Sequence, residues 1–298
     1  MNMMGDDLLL EELKRRFLDN KKALRDLEKM NEKMEKLNAR LAESERLKTD
    51  FLSNIRNEIN NPLTSILGLS RELLSAKKDE QTTRLMAQTI YDEAFELDFQ
   101  LRNIFCAAEL EAGETQLHVS RVDVAAFIKN LINAFCHKAL KKNLTVSFVC
   151  CGARSGDQGL PFNTDAEKLH RVLANLLENA IEYSNAGKTV RIEARNENSV
   201  LRISVADEGI GLPKEGRELL FDRFHQFDRG STKKHKGHGL GLSTAKALVD
   251  KLGGKISAAD AAGGGSIFSV SVPESAGGGD SALSEDGNEF LFENEKKF

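Results

Sequence analysis

From Asp6 to Asn61 the chain contains neither glycine nor proline. A stretch that long without a breaker is one continuous helix if its apolar residues keep a helical repeat. They do: Leu10, Leu13, Phe17, Leu24, Leu27, Met34 and Leu41 fall on a coiled-coil seam, and Asn20, Asn31 and Asn38 share it. Charges such as "KRR" and "EKMEK" occupy the other faces. Seam asparagines fix register and strand number at a cost in stability, so the pattern predicts a parallel homodimer.

The same helix is predicted to continue through Leu52, Ile55, Ile59, Leu63 and Ile66, which share one face. Asn57 falls off that face, with Glu58 beside it and Asn61 and Pro62 a turn further on. An interior proline costs about 3 kcal/mol and should loosen or kink the helix there. After the polar turn "SAKKDEQ", Leu85, Ile90, Ala94, Leu97, Leu101, Ile104 and Phe105 outline a second helix over roughly 82–110. The two helices make a hairpin, and two hairpins make a four-helix bundle if the coiled coil dimerises.

Beyond "EAGE" the periodicity changes. The pattern predicts a helix near 124–141, a strand "LTVSFVC", a helix over 165–183, strands "TVRIEA" and "LRISVAD", a helix over 240–252 and closing strands "KISAAD" and "SIFSVSV". Elements mixed in this order predict an α+β chain in which a helix layer covers one face of a mixed sheet. The expected domains are a coiled coil (1–45), a helical hairpin (46–113), an α/β sandwich (114–273) and an acidic, disordered tail (274–298) in which "EFLF" could dock.

With 30% charged residues and a formal net charge of −4, the chain lacks the basic excess that nucleic acid demands. No apolar run is long enough to span a bilayer, and the acidic start does not read as a secretory signal, so a cytoplasmic location is expected. Cys106, Cys136, Cys150 and Cys151 show no zinc spacing and read as reduced, mostly buried thiols.

Four short motifs carry the chemistry. "NLLENAIEYS" places Asn175 and Asn179 at i and i+4 with Glu178 beside them, and amide oxygens so spaced can serve Mg²⁺ directly or through water. "DEGIG" puts Asp207 at a strand end with Gly209 and Gly211 behind it, where a carboxylate can accept from an amine and the backbone can approach a flat ligand. "GHGLGL", Gly237 to Leu242, opens a helix whose free N–H groups suit polyphosphate. Between the last two, "FDRFHQFDRGSTKKHK" offers Arg223, Arg229, Lys233, Lys234 and Lys236 as a lid. Each motif alone is open to a bland reading as a polar helix face, a tight turn or a solvated loop.

In this order the motifs resemble the N, G1, F and G2 boxes of sensor histidine kinases, within the ATPase superfamily shared with gyrase, Hsp90 and MutL. "FLSNIRNEINNPLTSILGLSREL" resembles the H-box of the dimerisation and phosphotransfer helices, and "ELEAGE" the usual junction. The likeness covers roughly 46–273. It implies ATP and Mg²⁺ as ligands: Asp207 for the adenine amine, Gly209 and Gly211 for the base pocket and Tyr183 against the base. Asn175 and Asn179 would hold metal and phosphates, with Asn179 the metal ligand. Gly237, Gly239, Leu240 and Gly241 would wrap the phosphates. It also implies a response-regulator receiver domain as partner. One departure is Glu182, where the family commonly has a basic residue.

The larger departure is Asn57, which stands where the family carries its phosphoacceptor histidine. A neutral imidazole has a lone pair to attack phosphorus and an adjacent carboxylate to orient it. In an amide the nitrogen lone pair is delocalised, so Asn57 is no phosphoryl acceptor. His118, His137, His170, His225, His235 and His238 all follow the hairpin, so autophosphorylation at the usual position is not expected. Glu58 and Asn61 match the family's E-x-x-N pattern for dephosphorylating a response regulator. Three readings follow: a kinase whose histidine has been exchanged for an amide, a pseudokinase signalling by conformation, phosphatase action or a heterodimer partner, and an ATPase or scaffold of the wider superfamily.

Overall fold

The computed structural model describes residues 3–75, 79–113, 115–151, 159–223 and 239–275. For part of the first helix, Asn57 and Glu58 included, and for Cys151, only the backbone is described. The chain divides into two units, Met1–Ser53 and Asn54–Phe298.

Helix α1, Met3–Ser75, is continuous over 73 residues and passes through Pro62. Within the first unit its seam side chains Phe17, Leu24, Leu27, Met34 and Leu41 are all exposed on the single chain. Within the second unit Ile55, Ile59 and Ile66 are half-buried, whereas Leu63, expected on the same face, is exposed.

Helix α2, Glu80–Ala112, starts at Asp79, whose carboxylate accepts from Thr82 N at 2.9 Å, and ends at Gly113 with φ 73°. A side-chain acceptor at the N-cap and a left-handed glycine after the last turn satisfy the groups that a helix leaves unpaired at its ends. Its apolar residues divide into two stripes. Phe95, Phe99, Cys106 and Leu110 pack on the core of the following domain. Leu85 and Phe105 stay exposed and Leu97, Leu101 and Ile104 half-buried, so the stripe anticipated from sequence is not the one that this chain buries most deeply.

Strands β1 (Val119–Asp123) and β3 (Pro161–Asp165) form a small antiparallel pair, neither of which the periodicity predicted. Each ends in the aspartate that caps the next helix. Asp123 caps α3 (Val124–Ala134), accepting from Ala125 N at 3.0 Å, and also accepts from Leu160 N at 2.9 Å. Asp165, 1% exposed, caps α5 (Ala166–Tyr183) through Lys168 N at 3.0 Å and accepts from His118 N at 2.8 Å. One carboxylate thus joins the small sheet to the helix that carries the site. The helix expected over 124–141 is broken at buried Phe135, after which α4 runs Cys136–Lys141.

The main sheet has strand order β2-β4-β5-β7-β6, from β2 (Thr145–Cys151), β4 (Thr189–Glu197), β5 (Val200–Ala206), β6 (Lys255–Asp260) and β7 (Ser266–Pro273). Only β2 and β4 pair in parallel. Alternation decides its two faces. Val190, Ile192, Leu201, Ile203, Phe268 and Val270 are buried beneath the helices, α6 (Gly241–Lys251) among them, while Arg191, Arg195 and Arg202 face outward. Among the described residues no helix is long and apolar enough to cross a membrane. Cys106 is buried and Cys150 half-buried, but Cys136 is exposed, contrary to the mostly buried reading.

Candidate nucleotide site

The site forms where the end of α5, the loop after β5, the start of β7 and the N-terminus of α6 converge. Asp207 is 3% exposed. Its carboxylate accepts from Gly209 N at 2.9 Å, from Ser266 N at 3.3 Å and from the Ser266 hydroxyl. Ser266 was not singled out from sequence. Its only signal is a hydroxyl after three glycines at a strand start, and its effect is to hold the carboxylate in one orientation.

The loop is pressed between two backbones, which explains its glycines. A Cβ at Gly209 would lie 2.1 Å from the Tyr183 carbonyl oxygen, and one at Gly265, where φ is +92°, would lie 2.0 Å from that of Asp207. Ile210 N donates to Tyr183 O at 3.3 Å, and a bridge joins Ser184 to Gly209. The aspartate is thereby tied to the helix that carries the asparagines. Gly211 (φ +76°) continues the loop, and Tyr183 and Ile210 stand exposed at its mouth.

Asn175 is 2% exposed and Asn179 half-buried. Asn175 Nδ2 donates to Arg171 O at 3.0 Å and to Asn103 Oδ1 of α2 at 3.0 Å, while its Oδ1 has no partner among the described residues. An orphaned buried oxygen is costly, and a cation or its bound water satisfies it, so the donor set fits Mg²⁺. Gly241 packs against this amide: a Cβ there would come within 3.1 Å of Oδ1. α6 begins after Leu240 with no side-chain cap among the described residues, and Gly239 has φ +68°. The first N–H groups of the helix therefore remain available to an anion.

Two charged residues lie differently from a simple phosphate clamp. Glu182, the departure noted above, lies with Oε2 3.6 Å from Lys142 Nζ, which also donates to the carbonyls of Ile181 and Glu182 at the end of α5. A cation just past the end of α4 therefore offsets the added negative charge. Arg223 Nη1 pairs with Glu111 at the end of α2. Gly237 and the lid cations Arg229, Lys233, Lys234 and Lys236 lie outside the described residues, as do the side chains of Asn57 and Glu58. Asn61 is exposed on α1.

Behind the site, Lys138 of α4 sits between Glu96 of α2 and Glu178 of α5, 2.8 Å from the latter, with Phe95, Phe99 and Phe135 around its ammonium. Burial pushes the Glu178 carboxyl above its ordinary value, against the pull of Lys138. Burial would depress Lys138, but the two carboxylates outweigh it and keep the ammonium charged.

Comparison with known families fits this geometry. HATPase_c, described as "Histidine kinase-, DNA gyrase B-, and HSP90-like ATPase", matches residues 164–276, and HisKA, "His Kinase A (phospho-acceptor) domain", matches residues 47–113. The sensor protein DivL of Caulobacter vibrioides is 33% identical over 79% of this chain and 29% of its own length. The sensor-like histidine kinase SenX3 of Mycolicibacterium smegmatis is 30% identical over 78% of this chain and 59% of its own. Full-length ShkA, solved in complex with AMPPNP, shares the fold with a TM-score of 0.54 at 23% identity, over 76% of this chain and 46% of that one.

A phospho-acceptor helical domain followed by an ATPase of this class is the core of a histidine kinase, and the two matches together cover more than half of the chain. The chain belongs to the sensor histidine kinase family. It spans less than two thirds of the length of each of these relatives.

Proposed function

We propose that the chain binds ATP with Mg²⁺ between α5, the loop after β5 and the N-terminus of α6. In this reading it is the core of a cytoplasmic two-component kinase. The observation that carries it is the pairing of two prepared groups. Asp207 is buried and held by Ser266 and Gly209, and the orphan Oδ1 of Asn175 lies beside the uncapped end of α6. One end of the pocket offers an oriented acceptor for an amine, the other a cation ligand and N–H donors for phosphate.

Asp207 would accept from the adenine amine, Gly209 and Gly211 would let the base approach, and Tyr183 would cover it. Asn175 and Asn179 would hold Mg²⁺, with Asn179 the direct ligand. Gly237, Gly239, Leu240 and Gly241 would line the phosphates, and Arg223 would join them on leaving Glu111. Mg²⁺ held by these amides would supply positive charge against the negative charge of the phosphates during phosphoryl transfer. In the family's reaction the imidazole nitrogen forms the P–N bond as the P–O bond to ADP breaks. Asn57 offers no such lone pair, so the chain does not phosphorylate itself at this position.

The exposed seam of α1 supports a parallel homodimer, and the HisKA match supports a response-regulator receiver domain as partner. A second reading, favoured by the amide at Asn57, is a pseudokinase. It would act through nucleotide-dependent conformation, through a heterodimer partner, or through dephosphorylation of the regulator by Glu58 and Asn61.

Asn57→His incubated with labelled ATP tests the first reading: acid-labile label on the variant and none on the parent is expected. Absence of label from the variant, with ATP binding intact by calorimetry, would favour the pseudokinase. The pocket is tested separately by Asp207→Ala, which should weaken ATP by about 1–3 kcal/mol; equal affinity would rule it out.

A further inference from the structure

Asn103 lies on α2, outside the domain that carries the nucleotide pocket, yet it meets that pocket's most buried polar side chain. Its Oδ1 accepts from Asn175 Nδ2 at 3.0 Å, and the other N–H of the same amide points to Arg171 O at 3.0 Å. A carbonyl only accepts, so the amide nitrogen must lie on this side and the oxygen on the other. That other side faces Gly241 at the open end of α6, where Oδ1 is buried without a partner among the described residues. Arg171 O is already engaged in the helix ladder. Asn103 is therefore the acceptor that the amide does not share. A neighbouring bond, Arg171 Nη1 to Arg102 O at 3.1 Å, fixes the register of the two helices at this point.

We propose that Asn103 is a positioning residue for the metal end of the nucleotide site. From the hairpin it holds the Asn175 amide with its oxygen, and not its nitrogen, turned toward Mg²⁺. The inference rests on the nucleotide reading above and adds a consequence that the pocket alone does not have. Seating of α2 on the α/β domain and Mg²⁺-dependent nucleotide affinity are linked, and by reciprocity the metal–nucleotide complex strengthens that seating. Without Asn103 the amide can rotate, and an N–H donor then faces the cation for part of the time.

The test is calorimetry on the full chain with a non-hydrolysable ATP analogue, with and without Mg²⁺, for the native protein, Asn103→Ala and Asn103→Asp. Metal-free affinity should be the same in all three. The gain in affinity on adding Mg²⁺ should shrink about five-fold in Asn103→Ala, the worth of one neutral hydrogen bond. It should be retained in Asn103→Asp, whose carboxylate still accepts from Nδ2. An unchanged Mg²⁺ gain in Asn103→Ala would overturn the proposal. So would an equal loss with and without metal, which marks a structural role, or a rise in Mg²⁺-dependent affinity, which marks masking by the hairpin. No binding by the native protein under either condition would instead overturn the nucleotide reading itself, and this inference with it.

Discussion

Replacing Lys138 by Met removes the cation that Glu96 and Glu178 share among the described residues, at a place where the side chains of all three are 15–22% exposed. Methionine fills the space among Phe95, Phe99 and Phe135, so the change isolates charge from packing. The stranded Glu178 has an escape, which is to take up a proton. Starting from an unfolded pKa of 4.5, holding that proton at pH 7 costs about 3 kcal/mol, which caps the penalty from this group. A carboxyl whose folded pKa is raised binds more protons folded than unfolded, so the penalty grows as pH rises above 4.5 and fades as pH falls toward it. Denaturant unfolding of native and Lys138→Met proteins should differ by up to about 3 kcal/mol at pH 7 and by 1 kcal/mol or less near pH 5. Adding Glu178→Gln to the variant should recover most of the loss at pH 7. A difference independent of pH, or no recovery in the double variant, would refute electrostatic stranding and leave lost packing as the cause.

Gly264 and Gly265 share a φ of +92°, but a Cβ at Gly264 meets nothing within 4 Å, whereas at Gly265 it collides with the Asp207 backbone. Gly264→Ala should cost about 1 kcal/mol of strain and leave nucleotide affinity unchanged, while Gly265→Ala should cost more and abolish binding. Thermal melts and calorimetry distinguish them, and equal effects would show that the close approach does not matter. His170 packs edge-on to Phe127 at 5.7 Å, and burial, helped by Arg102 and Arg171, lowers its pKa from 6.5 to about 4. Between these values the unfolded chain binds the extra proton. About 3 kcal/mol of stability should therefore be lost as pH falls from 6.5 to 4, and His170→Phe should remove that part of the acid limb. A His170 NMR titration midpoint near 6.5 would refute it.

Where side chains obey a period, the sequence was legible. The segments "TVRIEA" and "LRISVA" read as strands and form β4 and β5, and the helix expected over 165–183 is α5. Strands β1 and β3 were missed because each has five residues and ends in a capping aspartate, so the helix signal that follows overwhelms the strand signal. Asp207, Asn175 and the glycines were found as motifs. Their partners Ser266 and Asn103 were not, because each reaches the site from another element and has no fixed spacing to it. Nor could the sequence show that Glu182 is offset by Lys142, a contact made across the end of α5.

The junction of α2 with the α/β domain combines an apolar stripe with polar groups that are not fully satisfied. Phe95, Phe99, Cys106 and Leu110 bury area, but Gln100 Oε1, Asn175 Oδ1 and Glu178 Oε2 at or beside the contact have no partner among the described residues. Each orphaned group subtracts about 1–3 kcal/mol from what the stripe contributes. A purely apolar interface of the same size would hold α2 far more firmly. The three oxygens differ in what could relieve them: a cation for Asn175, a proton for Glu178, water for Gln100. A nucleotide pocket loaded with Mg²⁺ as proposed would supply only the first. The state of that pocket and the seating of the hairpin would then be coupled through Asn175, and its neighbour Asn103 is where such coupling can be measured.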